Sequence, residues 1–133
     1  MEEMVTKISN EQDETENSGN DYSLVVMMDG IFNGREIKIL FPGDVGFEVE
    51  KRIVEDSIIR GKDISADVLI APHHGSRYSS SSTFLEKVSC KTVIISCGKN
   101  NLYGHPAPET LERMDEAGCR IIRTDKSGAV IIE

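Results

Sequence analysis

The sequence contains no tryptophan, and aromatic residues make up only 5% of its 133 positions. It also lacks a basic stripe, so it offers no row of aromatics and cations of the kind that grips single-stranded nucleic acid. Cysteine is scarce: Cys90, Cys97 and Cys119 are odd in number and none belongs to a Cys-x-x-Cys pair, which argues against a disulfide framework or a cysteine-based zinc knuckle. They read as small buried thiols of a reducing compartment. No apolar run approaches the roughly 18–20 residues needed to cross a bilayer. The first residues are acids and not a basic segment followed by an apolar one, so no export signal is expected. The chain is therefore expected to be soluble, cytoplasmic when expressed alone, and without direct membrane insertion.

What is abundant is negative charge, and it is unevenly placed. The net charge is -8, yet residues 1–21 hold seven acids and only one base, Lys7, which leaves 16 acids and 14 bases for residues 22–133. Polar Asn, Gln, Ser and Gly separate those N-terminal acids, giving a segment too poor in apolar side chains to offset the entropy of ordering it. Residues 1–21 are expected to be a disordered leader or linker, or else an acidic arm that mimics nucleic acid. Residues 22–133 then form one domain, because single cores span about 100–200 residues.

Within that domain strand-like and helix-like patterns alternate. Residues 22–29 are β-rich, residues 30–34 supply Gly and Asn for a turn, and residues 35–41 alternate polar with apolar, which predicts a hairpin. From Phe47 to Ile59 the apolar positions Phe47, Val49, Ile53, Val54, Ile58 and Ile59 recur at helical spacing among charged ones, with Gly61 as terminator. Strands are expected over 66–70, 91–96, 119–123 and 129–132. A short helix capped by Ser82 or Thr83 should run to Val88, and another should start at Pro108 and end at Gly118. The order β-β-α-β-α-β-α-β-β, without internal repeats, indicates an α/β layer protein.

Three loops after predicted strands hold the chemistry: Pro42-Gly43-Asp44, Pro72-His73-His74-Gly75-Ser76, and the segment from Gly98 to Pro106 that contains Lys99, Asn100, Tyr103 and His105. All three histidines of the chain lie there. Carboxylate and imidazole converging from strand ends suit a divalent metal such as zinc or manganese. Each also has a plainer reading: Asp44 as the cap of the next helix, His73 and His74 as exposed loop residues, His105 as a ring packed on Tyr103.

The residues of Asn20-Asp21-Tyr22-Ser23-Leu24-Val25, Phe41-Pro42-Gly43-Asp44, Ala66-Asp67-Val68-Leu69 with Pro72-His73-His74-Gly75-Ser76, Ser96-Cys97-Gly98-Lys99-Asn100-Asn101 with Tyr103-Gly104-His105-Pro106, and Arg123-Thr124-Asp125 resemble, in order, the metallo-β-lactamase domain of ComEC-type competence proteins, which take part in DNA internalisation. The resemblance implies half of an αββα sandwich, one mixed β-sheet with helices on one face. It implies Asp44 and His74 as metal ligands for zinc or manganese. His73, Ser76 and His105 are implied as catalytic groups on the same face, and Arg77, Lys99 and Asn100 as contacts to phosphate.

The resemblance also implies what is missing. The first half of that fold carries a His-x-His-x-Asp-His type motif, and no histidine precedes Asp44 here. A catalytic zinc takes about three protein ligands plus water, so tight metal binding by a monomer is not expected. The expected activity is that of a partial metal-dependent hydrolase, a competence-related nuclease or phosphodiesterase that needs its N-terminal half, with DNA as its substrate. A non-catalytic module that dimerises through an exposed sheet face is the alternative. A thiol hydrolase built on Cys97, His105 and Asp44 lacks any evident feature to lower the thiol pKa.

Overall fold

The computed structural model describes residues 4–8 and 22–133. Six strands form one sheet in the order in which they occur along the chain: β1 (Met4–Ile8), β2 (Val25–Phe32), β3 (Arg35–Phe41), β4 (Val68–Ile70), β5 (Thr92–Ile95) and β6 (Arg120–Arg123). The first two junctions are antiparallel and the remaining three are parallel. Helices α1 (Phe47–Ile59), α2 (Ser82–Val88) and α3 (Pro108–Glu116) are the crossovers between the parallel strands, and α4 (Thr124–Ser127) follows β6.

This topology decides where the helices lie. Each crossover moves one place in the same direction across the sheet, and such connections are right-handed. All three crossover helices therefore pack on one face. There Val25, Met27, Leu40, Leu69, Val93 and Ile95 from the strands form one core with Val49, Ile53, Phe84, Leu85, Val88 and Met114 from the helices. Full burial of side chains such as Leu40, Phe84 and Met114 stabilises the fold by about 1.5–3 kcal/mol each.

Strand register assigns the other face. Met28 pairs with Ile39 and Ile39 with Val68, while Ile70 pairs with Ile94 and Ile94 with Ile122. Ile39 and Ile94, in the middle of this face, are buried, whereas Met28, Val68, Ile70 and Ile122 are only half-buried. No helix packs there among the described residues, so one apolar face of the sheet is incompletely covered. The expectation of a mixed α/β sheet with helices on one face holds.

The element order differs from the expectation at both ends. Met4–Ile8, assigned to a disordered leader, pairs antiparallel with β2; charge counted over the whole segment hid a five-residue β-prone run, Met-Val-Thr-Lys-Ile. The other residues of that leader lie outside the described ones. Residues 129–132, expected as a strand, are irregular, because the chain leaves the sheet through α4 after Arg123. The hairpin turn is also tighter than the stretch 30–34: β2 runs to Phe32, which faces Arg35, and Asn33 (φ 50°) and Gly34 (φ 76°) supply the two positive-φ positions of a two-residue loop.

Candidate functional site

Because β3 to β6 are parallel, their carboxyl ends share one edge of the sheet, where loops of α/β proteins commonly bind ligands. The loop carrying Asp44 leaves β3 there, that of His73 and His74 leaves β4, and that of Cys97 to His105 leaves β5.

Asp44 does not cap α1. The cap is Gly46, with no side-chain hydrogen bond, which leaves the Asp44 carboxylate free of that duty. Its backbone N–H donates to Ser23 Oγ at 3.1 Å. Gly43 precedes it at φ 68°, and a Cβ there would lie 3.0 Å from that of Ser23. The carbonyl of Gly43 accepts the His73 N–H at 3.0 Å, so the first two loops are bonded to each other.

His73 and His74 lie in a kinked turn, Pro72–Gly75, in which both adopt left-handed backbone angles, φ 48° and 55°. Two successive non-glycine residues in that region cost on the order of 1–3 kcal/mol each and persist only where the surroundings impose them. The result is the orientation of the His74 ring. Its Nδ1 is 2.8 Å from the carbonyl oxygen of Ser96, and its Nε2 is 3.5 Å from Asp44 Oδ1. A carbonyl only accepts, so Nδ1 carries a proton, and in the neutral ring Nε2 then presents a lone pair toward the carboxylate. The imidazole nitrogen and the carboxylate oxygen thus face each other as two electron-pair donors, an arrangement that a cation between or beside them would favour. Both side chains are about half exposed, 54% for His74 and 47% for Asp44.

His73 and His105 meet edge to face, with ring centroids 5.6 Å apart, and Tyr103 stacks on His105 at 5.8 Å. Burial holds the His105 imidazole below its ordinary pKa, and electrostatic repulsion from the neighbouring His73 and His74 acts in the same direction. Asn101 shapes this loop. Its amide donates to the carbonyls of Gly98 (3.1 Å) and His105 (2.6 Å), and its Oδ1 accepts the His105 N–H (3.0 Å).

Of the residues singled out in the sequence, Asp44, His73, His74 and His105 come together. Ser76 does not join them: it is buried, and its hydroxyl accepts the Tyr78 N–H at 3.3 Å, closing the loop instead of facing outward. Arg77, Lys99 and Asn100 are exposed, and their side chains make no hydrogen bond or ion pair among the described residues. Cys97 is no nucleophile in waiting. Burial raises its thiol pKa and neighbouring Asp125 adds to the shift, while Thr124 Oγ1 donates to the Cys97 carbonyl (3.1 Å) and accepts its N–H (3.0 Å). Arg123 grips both Asp125 oxygens, at 3.0 and 2.8 Å, and holds that carboxyl down at a pKa of about 2. Arg123-Thr124-Asp125 thus anchors the Cys97 loop.

Several supporting residues escaped sequence reasoning. Glu50 sits among the charged positions of α1, yet it is fully buried and accepts the backbone N–H groups of Ser80 and Ser81. Arg113 of α3 donates to the carbonyls of Arg77, Ser79 and Ser80. Thr110 donates to the Ser76 carbonyl at 2.8 Å. The available signal was weak: Glu50 lies next to Val49 and one turn before Val54, at the margin of the apolar stripe.

Among the described residues no group of three or more His, Cys, Asp or Glu side chains converges as a metal site. Hollows lined by Arg35, Asp67 and Lys91, or by Leu111, Ile121 and Lys126, lie away from Asp44 and His74. No helix among the described residues is long and apolar enough to cross a membrane.

Comparison with known proteins gives this geometry a context. No family model matches the chain. It is 43% identical over 68 residues to ComE operon protein 3 of Bacillus subtilis (strain 168), 51% of this chain and 9% of that protein. It is 36% identical over 92 residues to competence protein ComA of Neisseria gonorrhoeae, 69% of this chain and 13% of that protein. An uncharacterised protein, YcaI of Escherichia coli (strain K12), is 28% identical over 114 residues, 86% of this chain and 14% of that protein. The chain is thus similar to competence proteins, and it spans about a tenth of the length of the curated relatives that it matches.

Proposed function

We propose that this chain supplies the Asp44 and His74 half of a divalent-metal hydrolase site of metallo-β-lactamase type, in a protein of DNA uptake, with a phosphodiester as substrate. The supporting observation is the His74 ring. Its Nδ1–H is committed to the Ser96 carbonyl at 2.8 Å, and its Nε2 lies 3.5 Å from Asp44 Oδ1. A carbonyl partner of this kind typically fixes the tautomer and direction of a metal-binding histidine.

The residues fit a metal in part. Carboxylate and imidazole are suitable donors for zinc or manganese, but two protein ligands fall short of the about three that a catalytic zinc uses. The remaining donors would come from the complementary N-terminal half, packed against the incompletely covered sheet face. When bound, a divalent cation supplies Lewis-acid charge for water activation and for the charge that builds on a phosphoryl oxygen. The chain's own residues orient and select. The strained turn fixes the direction of His74, and the Gly43–His73 bond sets its distance from Asp44. His105, held toward its neutral form, offers a proton acceptor beside His73, while exposed Arg77 and Lys99 provide charge for phosphate oxygens.

Calorimetric titration with zinc or manganese, alone and after mixing with a complementary N-terminal segment from a competence relative, tests this reading. The isolated chain should bind metal weakly, and the mixture should bind tightly and cleave single-stranded DNA. Cleavage that survives both Asp44→Ala and His74→Ala would overturn the assignment.

A second reading rests on the half-buried apolar face bearing Met28, Val68, Ile70 and Ile122: a non-catalytic module that pairs with a second copy of itself. Sedimentation equilibrium separates the two, since this reading requires a dimer and no metal dependence.

A further inference from the structure

We propose that Cys90 and Cys119 are a cross-linking site, closing to an intramolecular disulfide when the protein meets a small-molecule disulfide such as oxidised glutathione. The two free thiols lie with their sulfurs 2.9 Å apart. Bond formation, at an S–S length of about 2.05 Å, requires them to approach by less than roughly 1 Å. Neighbouring backbone holds them in register. Cys90 lies two residues before β5 and Cys119 immediately before β6, where Thr92 pairs with Arg120, and the Arg120 N–H donates to the Lys91 carbonyl at 2.9 Å. The Cys119 thiol donates to the Cys90 carbonyl at 3.3 Å.

The third cysteine does not compete. Cys97 lies beyond the opposite end of β5, roughly 20 Å along the strand direction from Cys90. The pair is therefore geometrically isolated and self-sufficient, and it is independent of the metal site proposed above.

The exchange balances as two displacements. The thiolate of one cysteine attacks a sulfur of the small disulfide, forming a mixed disulfide and expelling one small thiolate. The second cysteine, as thiolate, then attacks the protein sulfur of that mixed disulfide and expels the other. Two protein thiols lose two electrons in total, the small disulfide gains them, and the two protons end on the released thiols. Both cysteines are buried, and burial raises the Cys90 thiol pKa well above its usual range, so exchange is slow at neutral pH and faster in alkali. The closed loop encloses β5, the Cys97–His105 loop, and α3, and so anchors the base of one wall of the candidate site.

The full chain would be incubated with oxidised glutathione at alkaline pH, alkylated under denaturing conditions and analysed by peptide mass spectrometry. Two of the three thiols should become unreactive, a Cys90–Cys119 peptide pair should appear, and Tm should rise by about 10 °C, as expected for a loop of this length. Cys97→Ala should keep the Cys90–Cys119 peptide pair and the rise in Tm, with both remaining thiols unreactive, and Cys119→Ala should abolish the pair and the rise. Three reactive thiols after oxidation, a cross-link or persistent glutathione adduct at any other cysteine, or a lowered Tm would each overturn the proposal.

Discussion

Glu50 and Arg113, from two different helices, hold the same loop by its two kinds of backbone group. Glu50 of α1 accepts from the N–H groups of Ser80 and Ser81, and Arg113 of α3 donates to the carbonyls of Arg77, Ser79 and Ser80. That loop begins where the His73–His74 turn ends. Buried Glu50 and half-buried Arg113 therefore connect the helical layer to the position of the candidate ligands.

Glu50→Ala leaves two backbone donors without an acceptor in a buried site. Loss of the buried partner should cost about 2–4 kcal/mol in urea-induced unfolding. Glu50→Gln should cost less, because the amide oxygen still accepts one of the two N–H groups. Burial raises the carboxyl pKa of Glu50, against the hydrogen bonds from Ser80 and Ser81. Its contribution is accordingly largest below the unfolded-state pKa and declines as pH rises through the raised folded value, so the gap between wild type and Glu50→Gln should narrow with increasing pH.

Arg113→Met removes the donors to three carbonyls and the guanidinium that lies 5.3 Å above the Phe47 ring. A loss of about 2–3 kcal/mol is expected. Because both groups secure one loop, the double variant with Glu50→Ala should depart from additivity by about 0.5–3 kcal/mol, measurable in a double-mutant cycle.

Gly75→Ala tests the strained turn directly. The residue sits at φ 80°, and an added Cβ would lie 2.7 Å from Pro106 Cβ. Left-handed strain and the clash together should cost at least about 2 kcal/mol. The same change should displace His74 from Ser96, visible as altered chemical shifts of the imidazole.

His105 gives the site a pH signature. Its folded pKa lies below its unfolded value, chiefly through burial, so the native state binds fewer protons between those two values. The associated stability is fully present above an unfolded pKa of about 6.5 and is lost as pH falls through the folded value. His105→Gln should flatten the stability–pH curve in that window, which thermal melts between pH 4 and 8 would record.

Periodicity and capping alone located most elements. The apolar spacing over Phe47–Ile59, Pro108 at the start of α3, and the positive-φ glycines Gly61 and Gly118 just beyond α1 and α3 are local signals, because each depends on neighbours within a turn or two. The loops bearing Asp44, His73, His74 and His105 were legible for the same reason: abrupt Pro-Gly and His-His-Gly stretches follow apolar strands. The part played by β1 was not legible, since an edge strand is defined by its partner.

The sequence by itself determined an α/β domain with three chemically loaded loops after strands. Only the tertiary structure decided that four parallel strands bring those loops to one edge, that same-handed crossovers place every crossover helix on one face, and that Glu50 is buried while Ser76 closes its own loop. It alone decided that His74 presents Nε2 to Asp44 and that Cys90 meets Cys119 across 29 residues of chain. The physical reason is the range of the interactions. Propensity and amphipathicity act over a few residues and are written in the chain, whereas hydrogen bonds and contacts between residues 20 to 30 positions apart exist only once strand order has been fixed.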